Sequence, residues 1–538
     1  MEQNKFGFFR LWLCGEFLKD MEISESPKTL PKYSCRIGHN RWYHLRSDHP
    51  TTNRIDRMQY SMMSTVVHAS PPTTADDINV QHLVDKDDLR NTFALAMSAM
   101  YKAEVPLYGD LVRIVKDVNQ ACKAETPLEE RLDLERHGAI RLGTPYELRT
   151  IRRIFALIGL HPVDYYDLSV AGLPMHATAF RPVDPEALSK NPFRVFTTLL
   201  RPELLRPEPR ELALSLLIRR NIFSDELTKL IGVGEDQGGF YPHQAENFIL
   251  EAMKTFKWHS VAAATLDDYQ KLGAEHPILA DITCFNSAHI NHLTPRTLDI
   301  DRAETQMKAE GLAIKSRIEG PPARKSPILL RQTSFLALRE QTSFHVRGST
   351  NLEPGSHKAR FGEIEERGAA LTTKGRKLYN SLLTEALEAL TSAETDAEDS
   401  FNQIFDRFPD HWETMLRRGL VFFECRCTSK AREGAFSGSS SRVPLSKLVE
   451  GGIVRTVPIT YEDFLPFSAA GIFRSNLYSS SEENSCGFEP FEDRQGLEAA
   501  LGCQIADSQY IYAELQRQSL EKCASTLGLQ EIVLDNEV

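Results

Sequence analysis

The sequence has no apolar run that approaches roughly 18 residues, so no segment is long enough to span a membrane as a helix. It also lacks a surplus of basic residues: 63 Lys and Arg are outnumbered by 74 Asp and Glu, for a net charge of -11. Because phosphate binding requires a basic surface, this balance argues against a general nucleic-acid-binding protein. We therefore expect neither a membrane nor a nucleic acid as partner.

Paired cysteines are also scarce. The nine cysteines are scattered and odd in number, which does not fit a disulfide framework and indicates a reducing compartment. Cys425 and Cys427 form the only close pair, and no second pair follows at zinc-finger spacing. We interpret them as two ordinary strand cysteines.

The common catalytic signatures are missing as well. The chain contains no Walker loop, no Gly-x-Gly-x-x-Gly after a strand, no His-Glu-x-x-His and no Gly-x-Ser-x-Gly.

The first 75 residues differ in character from the rest and are predicted to be a poorly defined N-terminal extension. Its basic residues are compatible with a mitochondrial presequence, but early acids such as Glu2, Glu16 and Asp20 argue against one and leave the cytoplasm as the default location. Residues 76–538 are predicted to be one large catalytic unit. Its metal-binding core is expected at about 130–370, with helical and pocket-closing elements at about 80–125, 185–260 and 375–538.

Local patterns predict the elements around a first histidine, His137. A Thr144-Pro145-Tyr146-Glu147 capping box begins a helix that Gly159 ends. Strand-like runs follow at 163–168 and 175–180, and residues 185–260 are predicted to be helical. Around His292 the outline is similar, with a helix over 300–310 ended by Gly311 and a strand over 313–318. The likeness indicates an internal repeat of two units that face each other.

A third segment, residues 361–368, would close the second unit. As a strand it places Phe361, Glu363 and Glu365 on one face, and a buried carboxylate is costly unless a cation compensates it. Two histidines and one carboxylate on separate strands are the ligand set of a non-haem Fe(II) oxygenase. His289 is a rival of His292 and Glu365 a rival of Glu363, and spacing alone leaves both choices open.

Arg141 lies four residues after His137, so on a strand both side chains point to the same face. Their Cα atoms would be about 13 Å apart at roughly 3.3 Å per residue. A guanidinium grips a carboxylate through two hydrogen bonds and keeps its charge. Arg141 is therefore predicted to hold the second carboxylate of a short diacid whose other end lies on the metal.

Taken together, these segments resemble the 2-oxoadipate dioxygenase/decarboxylase family, also called 2-hydroxyglutarate synthase, of the vicinal-oxygen-chelate type. The resemblance extends from about residue 89 to about residue 476. It rests on residues 101–109 (YKAEVPLYG), 136–141 (RHGAIR), 291–296 (NHLTPR), 328–335 (ILLRQTSF), 361–368 (FGEIEERG) and 468–473 (SAAGIF).

The resemblance implies an α+β fold, with a vicinal-oxygen-chelate-like barrel built from two βαβββ modules and elaborated with additional helices. It implies His137, His292 and Glu363 as ligands of Fe2+, and the Glu363 strand is also similar to the metal-binding strand of 4-hydroxyphenylpyruvate dioxygenase. The implied reaction converts 2-oxoadipate and O2 to 2-hydroxyglutarate and CO2 in lysine catabolism.

The resemblance also implies which residues contact the substrate, a small 2-oxo diacid. The two histidines and Arg141 belong to this set, with Arg141 on the substrate carboxylate and as the catalytic residue, and Phe467-Ser468 is assigned to the pocket wall. The bacterial family pattern has valine where Phe467 stands and glutamine where Glu366 stands. A phenylalanine is expected to narrow the pocket and alter the preferred 2-oxo acid.

Two alternatives belong to other functional classes. The same scaffold with Zn2+ or Ni2+ would act as an oxygen-independent isomerase of the glyoxalase type. A non-catalytic metal-stabilised binding protein would melt in a metal-dependent way without turning over any 2-oxo acid. Oxygen dependence separates both from the dioxygenase.

Overall fold

The chain is described by a computed structural model that covers residues 82–122, 130–392, 397–432, 442–465 and 490–534. Leu83–Val538 form one compact unit. The N-terminal extension predicted over residues 1–75 lies outside the described residues, as do Phe467 and Ser468. None of the described helices is both long and apolar enough to cross a membrane.

Two helices precede the sheet, α1 (Lys86–Glu104) and α2 (Pro106–Cys122). The Asp85 carboxylate caps α1 by accepting the backbone N–H groups of Asp87 and Asp88. Pro106 occupies the first position of α2, where a missing N–H costs nothing.

The first module has the predicted βαβββ order. Its elements are β1 (Arg136–Leu142), α3 (Pro145–Leu157), β2 (His161–Asp167), β3 (Met175–Arg181), α4 (Pro185–Lys190) and β4 (Arg194–Leu200). Thr144 caps α3 as expected. The Glu147 carboxylate accepts the backbone N–H of Gly143, whereas a complete capping box would have it accept the backbone N–H of Thr144.

The prediction of a helical region over 185–260 is wrong at β4. Every residue of this strand is buried, and it pairs in parallel with β1. A strand that is covered on both faces shows a continuous apolar run in place of alternation, so its period does not distinguish it from a helix. The remainder of the region is largely helical.

A helical segment and a small sheet connect the modules. The segment comprises α5 (Pro207–Leu217), α6 (Asp225–Gln237), α7 (Pro242–Phe256), β5 (Val261–Thr265), α8 (Leu266–Glu275) and α9 (Pro277–Thr283). Strand β5 pairs with a later hairpin to form a separate three-stranded sheet.

The second module repeats the order of the first with an inserted hairpin. Its elements are β6 (His292–Pro295), α10 (Ile300–Ala309), β7 (Leu330–Ser334), the hairpin β8 (Arg339–His345) and β9 (Leu352–Lys358), and β10 (Phe361–Arg367). The strand predicted over 313–318 is reduced to isolated bridges, Ile314 to Phe335 and Glu319 to Gln332. This segment still runs beside β7, in the place that β2 takes in the first module.

The seven strands are ordered β2-β3-β4-β1-β6-β10-β7, and the sheet curls into a half-barrel. Each module pairs its first strand in parallel with its last, β1 with β4 and β6 with β10. The two first strands meet antiparallel, with Ala139 opposite His292. This symmetry confirms the α+β class and the two facing modules.

The C-terminal part shares an apolar core with β7. Its elements are α11 (Thr373–Ser392), α12 (Ala397–Phe405), α13 (Trp412–Arg417), β11 (Phe423–Cys427), α14 (Ser429–Arg432), β12 (Arg442–Pro444), α15 (Leu445–Glu450), β13 (Val454–Pro458), α16 (Arg494–Leu501), α17 (Ser508–Leu527) and β14 (Glu531–Val533). Cys425 and Cys427 lie on β11 and are free thiols, as predicted.

Candidate active site

Three neighbouring strands bring His137, His292 and Glu363 together. Glu363 Oε2 lies 3.2 Å from His137 Nε2 and 3.7 Å from His292 Nε2. All three side chains are fully buried. One nitrogen or oxygen from each lies within 4.8 Å of the others, which is the spacing of a metal site.

The strand register explains this convergence. His137 is near the start of β1 and His292 begins β6, the two antiparallel first strands of the modules. Phe361 is the parallel partner of His292, and Glu363 lies two residues further along β10 on the same face. Gly362 faces the other way, where an added Cβ would lie 2.4 Å from Phe335 Cε1, so β10 is packed closely from behind.

The buried polar atoms of this cluster fit a metal ion. Glu363 Oε2 accepts hydrogen bonds from Thr294 Oγ1 at 3.1 Å and Gln332 Nε2 at 3.0 Å. Among the described residues, Glu363 Oε1 and both ring nitrogens of His292 have no hydrogen-bond partner. An unsatisfied buried carboxylate oxygen is costly, and a divalent cation between these donors would compensate it.

Glu365, the rival ligand, takes a different position. Its Oε2 lies 3.0 Å from His137 Nδ1, the ring nitrogen on the side away from Glu363. Arg367 Nη2 lies 2.8 Å from the same carboxylate oxygen. Glu365 is thus arranged to orient His137, as carboxylates do behind metal-bound histidines.

The electrostatic field differs between the two histidines. Burial acts to lower the pKa of His137, but the Glu365 and Glu363 carboxylates outweigh it and raise the pKa. For His292, burial is reinforced first by His137 and then by Arg141 and Lys315, and its pKa falls well below the usual value. His292 is therefore neutral near pH 7, the form that a metal requires.

Arg141 lies on β1, as His137 does, and its side chain is buried. Its Nη1 donates to Asp281 Oδ2 at 2.6 Å. Asp281 belongs to α9 and was not predicted as a site residue. Asp281 lies only ten residues before Asn291 in the sequence, but no motif or spacing marks it as a site residue.

The rival histidine, His289, belongs to a second buried group with Asp281 and His357. Asp281 Oδ1 lies 3.1 Å from His289 Nε2 and 2.8 Å from His357 Nε2. His289 and His292 therefore face different groups, as their odd spacing predicts. His357 on β9 was missed because nothing in the sequence marks it.

Lys315 is a second basic residue that sequence reasoning missed. Its backbone N–H donates to Ser334 O, and Ser334 lies directly opposite Glu363. Lys315 is 4 % exposed, and burial lowers its pKa to about 7 against the opposing charges of Glu319 and Glu363. A buried amine with a pKa near neutrality therefore lies close to Glu363.

Aromatic rings enclose the cluster. Phe361 stacks on His292 with ring centroids 4.8 Å apart, and Phe464 meets His137 edge to face at 5.0 Å. Phe464 precedes Phe467 and Ser468 by a few residues. The assignment of those two residues to the pocket wall stays a prediction, since neither belongs to the part of the chain that the structure describes.

Comparison with known proteins yields consistent similarities. The family model described as 2-oxoadipate dioxygenase/decarboxylase matches residues 93–476. A 2-oxoadipate dioxygenase/decarboxylase of Pseudomonas putida is 47% identical over 462 residues, which cover 83% of this chain and 98% of the relative. The Escherichia coli protein of the same name is 46% identical over 453 residues, covering 82% and 98%.

A solved structure agrees with these similarities. The crystal structure of the hydroxyglutarate synthase from Pseudomonas putida in complex with 2-oxoadipate superposes with a TM-score of 0.75. It is 45% identical in sequence, and the match covers 83% of this chain and 99% of that one.

Proposed function

Because this chain belongs to the 2-oxoadipate dioxygenase/decarboxylase family, we propose that it converts 2-oxoadipate and O2 to 2-hydroxyglutarate and CO2. The observation that carries this proposal is the buried group of His137, His292 and Glu363 on three adjacent strands. The chain is an enzyme of this family, and the resemblance supports a place for its reaction in lysine catabolism.

The proposed cofactor is Fe2+, held by His137, His292 and Glu363. Two neutral imidazoles and one carboxylate leave a divalent ion with a net charge near +1, which favours an anionic substrate. When bound, iron supplies the redox chemistry with O2 that no amino-acid side chain offers. The protein contributes position, charge and a buried site, and the rings of Phe361 and Phe464 limit access of water to the two histidines.

Arg141 is proposed to bind the distal carboxylate of the substrate. It lies on the face of β1 that carries His137, and its charge is close enough to lower the pKa of His292. A diacid could then extend from the metal towards the guanidinium. The chain length that fits best would depend on Phe467, which is proposed to narrow the pocket together with Ser468.

The cytoplasm is the proposed location. Cys284, Cys425, Cys427, Cys503 and Cys523 are free thiols, which supports a reducing compartment.

The test is oxygen uptake by protein that has been purified without oxygen and reconstituted with Fe(II). Addition of 2-oxoadipate should consume O2 and release CO2 and 2-hydroxyglutarate in equal amounts. A Glu363→Ala variant serves as the metal-deficient control and should consume none. Absence of uptake by protein with iron demonstrably bound would reject the dioxygenase and favour the oxygen-independent isomerase.

A series of shorter and longer 2-oxo diacids extends this assay to the pocket. The parent protein and a Phe467→Val variant are compared across the series. If Phe467 narrows the pocket, the variant gains activity on longer or bulkier acids relative to 2-oxoadipate. An unchanged order of preference would remove Phe467 from the pocket wall.

A further inference from the structure

The second buried group is centred on the carboxylate that pairs with Arg141. Arg141 and Asp281 are 6 % and 4 % exposed, and their closest atoms, Nη1 and Oδ2, are 2.6 Å apart. The pair joins β1 of the first module to α9. Nothing in the proposed chemistry uses Asp281, yet it forms a buried ion pair with the proposed substrate-binding arginine.

Asp281 is surrounded by donors. His357 Nε2 lies 2.8 Å from Oδ1 and His289 Nε2 lies 3.1 Å from the same oxygen. Asn291 Nδ2 is 3.4 Å from Oδ2, the oxygen that accepts from Arg141. A carboxylate offers about four lone-pair positions, and hydrogen bonds with His357, Asn291 and Arg141 occupy three of them, whereas His289 Nε2 lies close by without forming one.

Aromatic side chains hold the two histidines in place. Trp258 stacks on His357 with an interplanar angle of 12° and meets His289 edge to face at 4.8 Å. The Tyr269 hydroxyl lies 3.0 Å from His357 Nδ1. The inserted hairpin that carries His357 therefore fixes the Asp281 carboxylate, which in turn fixes Arg141.

The composition of this group also suits a metal ion, but its charge argues otherwise. The negative charge of Asp281 is cancelled by the positive charge of Arg141. Histidines bind a metal as neutral imidazoles, so they would contribute no negative charge to offset that of a metal ion. A divalent cation would add two uncompensated positive charges beside a buried guanidinium. Burial acts to raise the pKa of Asp281, but Arg141 and then His289 hold it well below the usual value, so the carboxylate is ionised.

We propose that Asp281 is a positioning residue that holds the Arg141 guanidinium in place for the distal carboxylate of a 2-oxo diacid. The inference rests on the proposed function. A guanidinium has five N–H donors, so pairing with one carboxylate is compatible with binding a second. Fixing a flexible arginine before the substrate arrives reduces the entropy lost on binding.

The test measures substrate binding and turnover for two substrates that differ only at the far end. 2-Oxoadipate carries a distal carboxylate, whereas 2-oxohexanoate ends in a methyl group. Dissociation constants are measured by anaerobic calorimetry on Fe(II)-loaded protein, and KM and kcat by oxygen uptake. The variants are Asp281→Asn, His357→Gln and Arg141→Met, with Asp267→Asn on α8 as an exposed carboxylate control.

The expected result is selective. Asp281→Asn should weaken binding of 2-oxoadipate about tenfold, with its KM raised accordingly, and leave 2-oxohexanoate almost unchanged. His357→Gln should show a smaller effect in the same direction. It keeps the proposal testable if Asp281→Asn does not fold. Asp267→Asn should match the parent.

Other outcomes overturn the inference. Tighter or unchanged binding of 2-oxoadipate by Asp281→Asn would mean that Asp281 competes with the substrate or is irrelevant to it. Equal losses on both substrates would indicate a merely structural role. A second equivalent of metal in the parent that is lost in Asp281→Asn would make the group a metal site.

Arg141→Met separates this failure from failure of the proposed function. One outcome is that Arg141→Met weakens the binding of 2-oxoadipate about 100-fold and leaves the binding of 2-oxohexanoate unchanged. If Asp281→Asn then leaves the binding of 2-oxoadipate unchanged, only the positioning role of Asp281 is wrong. If Arg141→Met affects both substrates equally, the assignment of Arg141 to the distal carboxylate fails.

Discussion

Glu365 Oε2 lies 3.0 Å from His137 Nδ1, on the opposite side of the imidazole from Glu363. One strand thus supplies both the proposed metal carboxylate and the carboxylate that orients a neighbouring metal histidine. The two glutamates share a face and differ by two residues, but their contacts assign them different tasks.

Replacing Glu365 with glutamine should weaken metal binding about 10- to 100-fold. The amide is similar in shape but uncharged, so it orients the His137 ring less firmly and makes the imidazole a less basic metal ligand. Competition with a chelator of known affinity measures the effect. Glu366→Gln on the same strand is the matched control, because Glu366 points to the other face and contacts the Ile300 N–H and Arg331. Equal losses in both variants would show that β10 as a whole is disturbed.

Removal of the metal should lower the melting temperature. Without it, Glu363 Oε1 and the His292 nitrogens are buried without hydrogen-bond partners among the described residues. A ligand that binds only the folded state stabilises it by about 2.7 kcal/mol at 100 times its Kd. Thermal melts across a series of Fe(II) concentrations under anaerobic conditions should show a rising Tm. A Glu363→Ala variant should show no such rise, and a rise of the same size would place the ion elsewhere.

Gly368→Ala should lower the free energy of unfolding by about 1–3 kcal/mol. Gly368 directly follows β10, and an added Cβ would lie 2.2 Å from the backbone carbonyl carbon of Pro327, which cannot rotate away. Gly232→Ala is the control, since a Cβ there meets nothing within 4 Å and alanine favours helix α6. Urea unfolding should show the first variant weakened and the second unchanged or slightly strengthened. Equal stability of the two variants would contradict the close approach at Gly368.

Asp164 should make stability fall as pH rises from about 4 to about 6. Burial and the nearby Asp463 carboxylate raise the pKa of Asp164 to about 6, above its ordinary value of 3.8. The folded state therefore holds the proton more tightly than the unfolded chain, and the stability gained at low pH is lost on ionisation. Asp164→Asn keeps an acceptor for the Ser508 N–H and suits the left-handed backbone, with φ at 56°.

At pH 7.5 the free energy of unfolding of Asp164→Asn should exceed that of the parent by up to about 3 kcal/mol, so the variant should melt at a higher temperature. Near pH 4 the two proteins should be equally stable. Melting curves of both proteins at several pH values test this. Asp117 is an exposed carboxylate on α2, and the melting temperature of Asp117→Asn should depend on pH in the same way as that of the parent. A constant difference between Asp164→Asn and the parent at all pH values would mean that Asp164 does not titrate in this range.

Local patterns sufficed where a signal spans only a few residues. The Thr144 cap and the common face of Phe361, Glu363 and Glu365 are both short-range features, and each is present in the structure. β4 could not be recognised in this way, because burial on both faces removes the alternation that identifies a strand.

The sequence by itself determined the family, the α+β class, the two repeated modules and the set of candidate ligands. Only the tertiary structure shows how the rival glutamates differ in their contacts: Glu363 meets His137 Nε2 across 226 residues of sequence, while Glu365 meets the other ring nitrogen. It also brought Asp281 and His357 to Arg141 from separate elements. The physical reason is that a side chain's face follows from its own strand, whereas its partner depends on how the whole sheet curls.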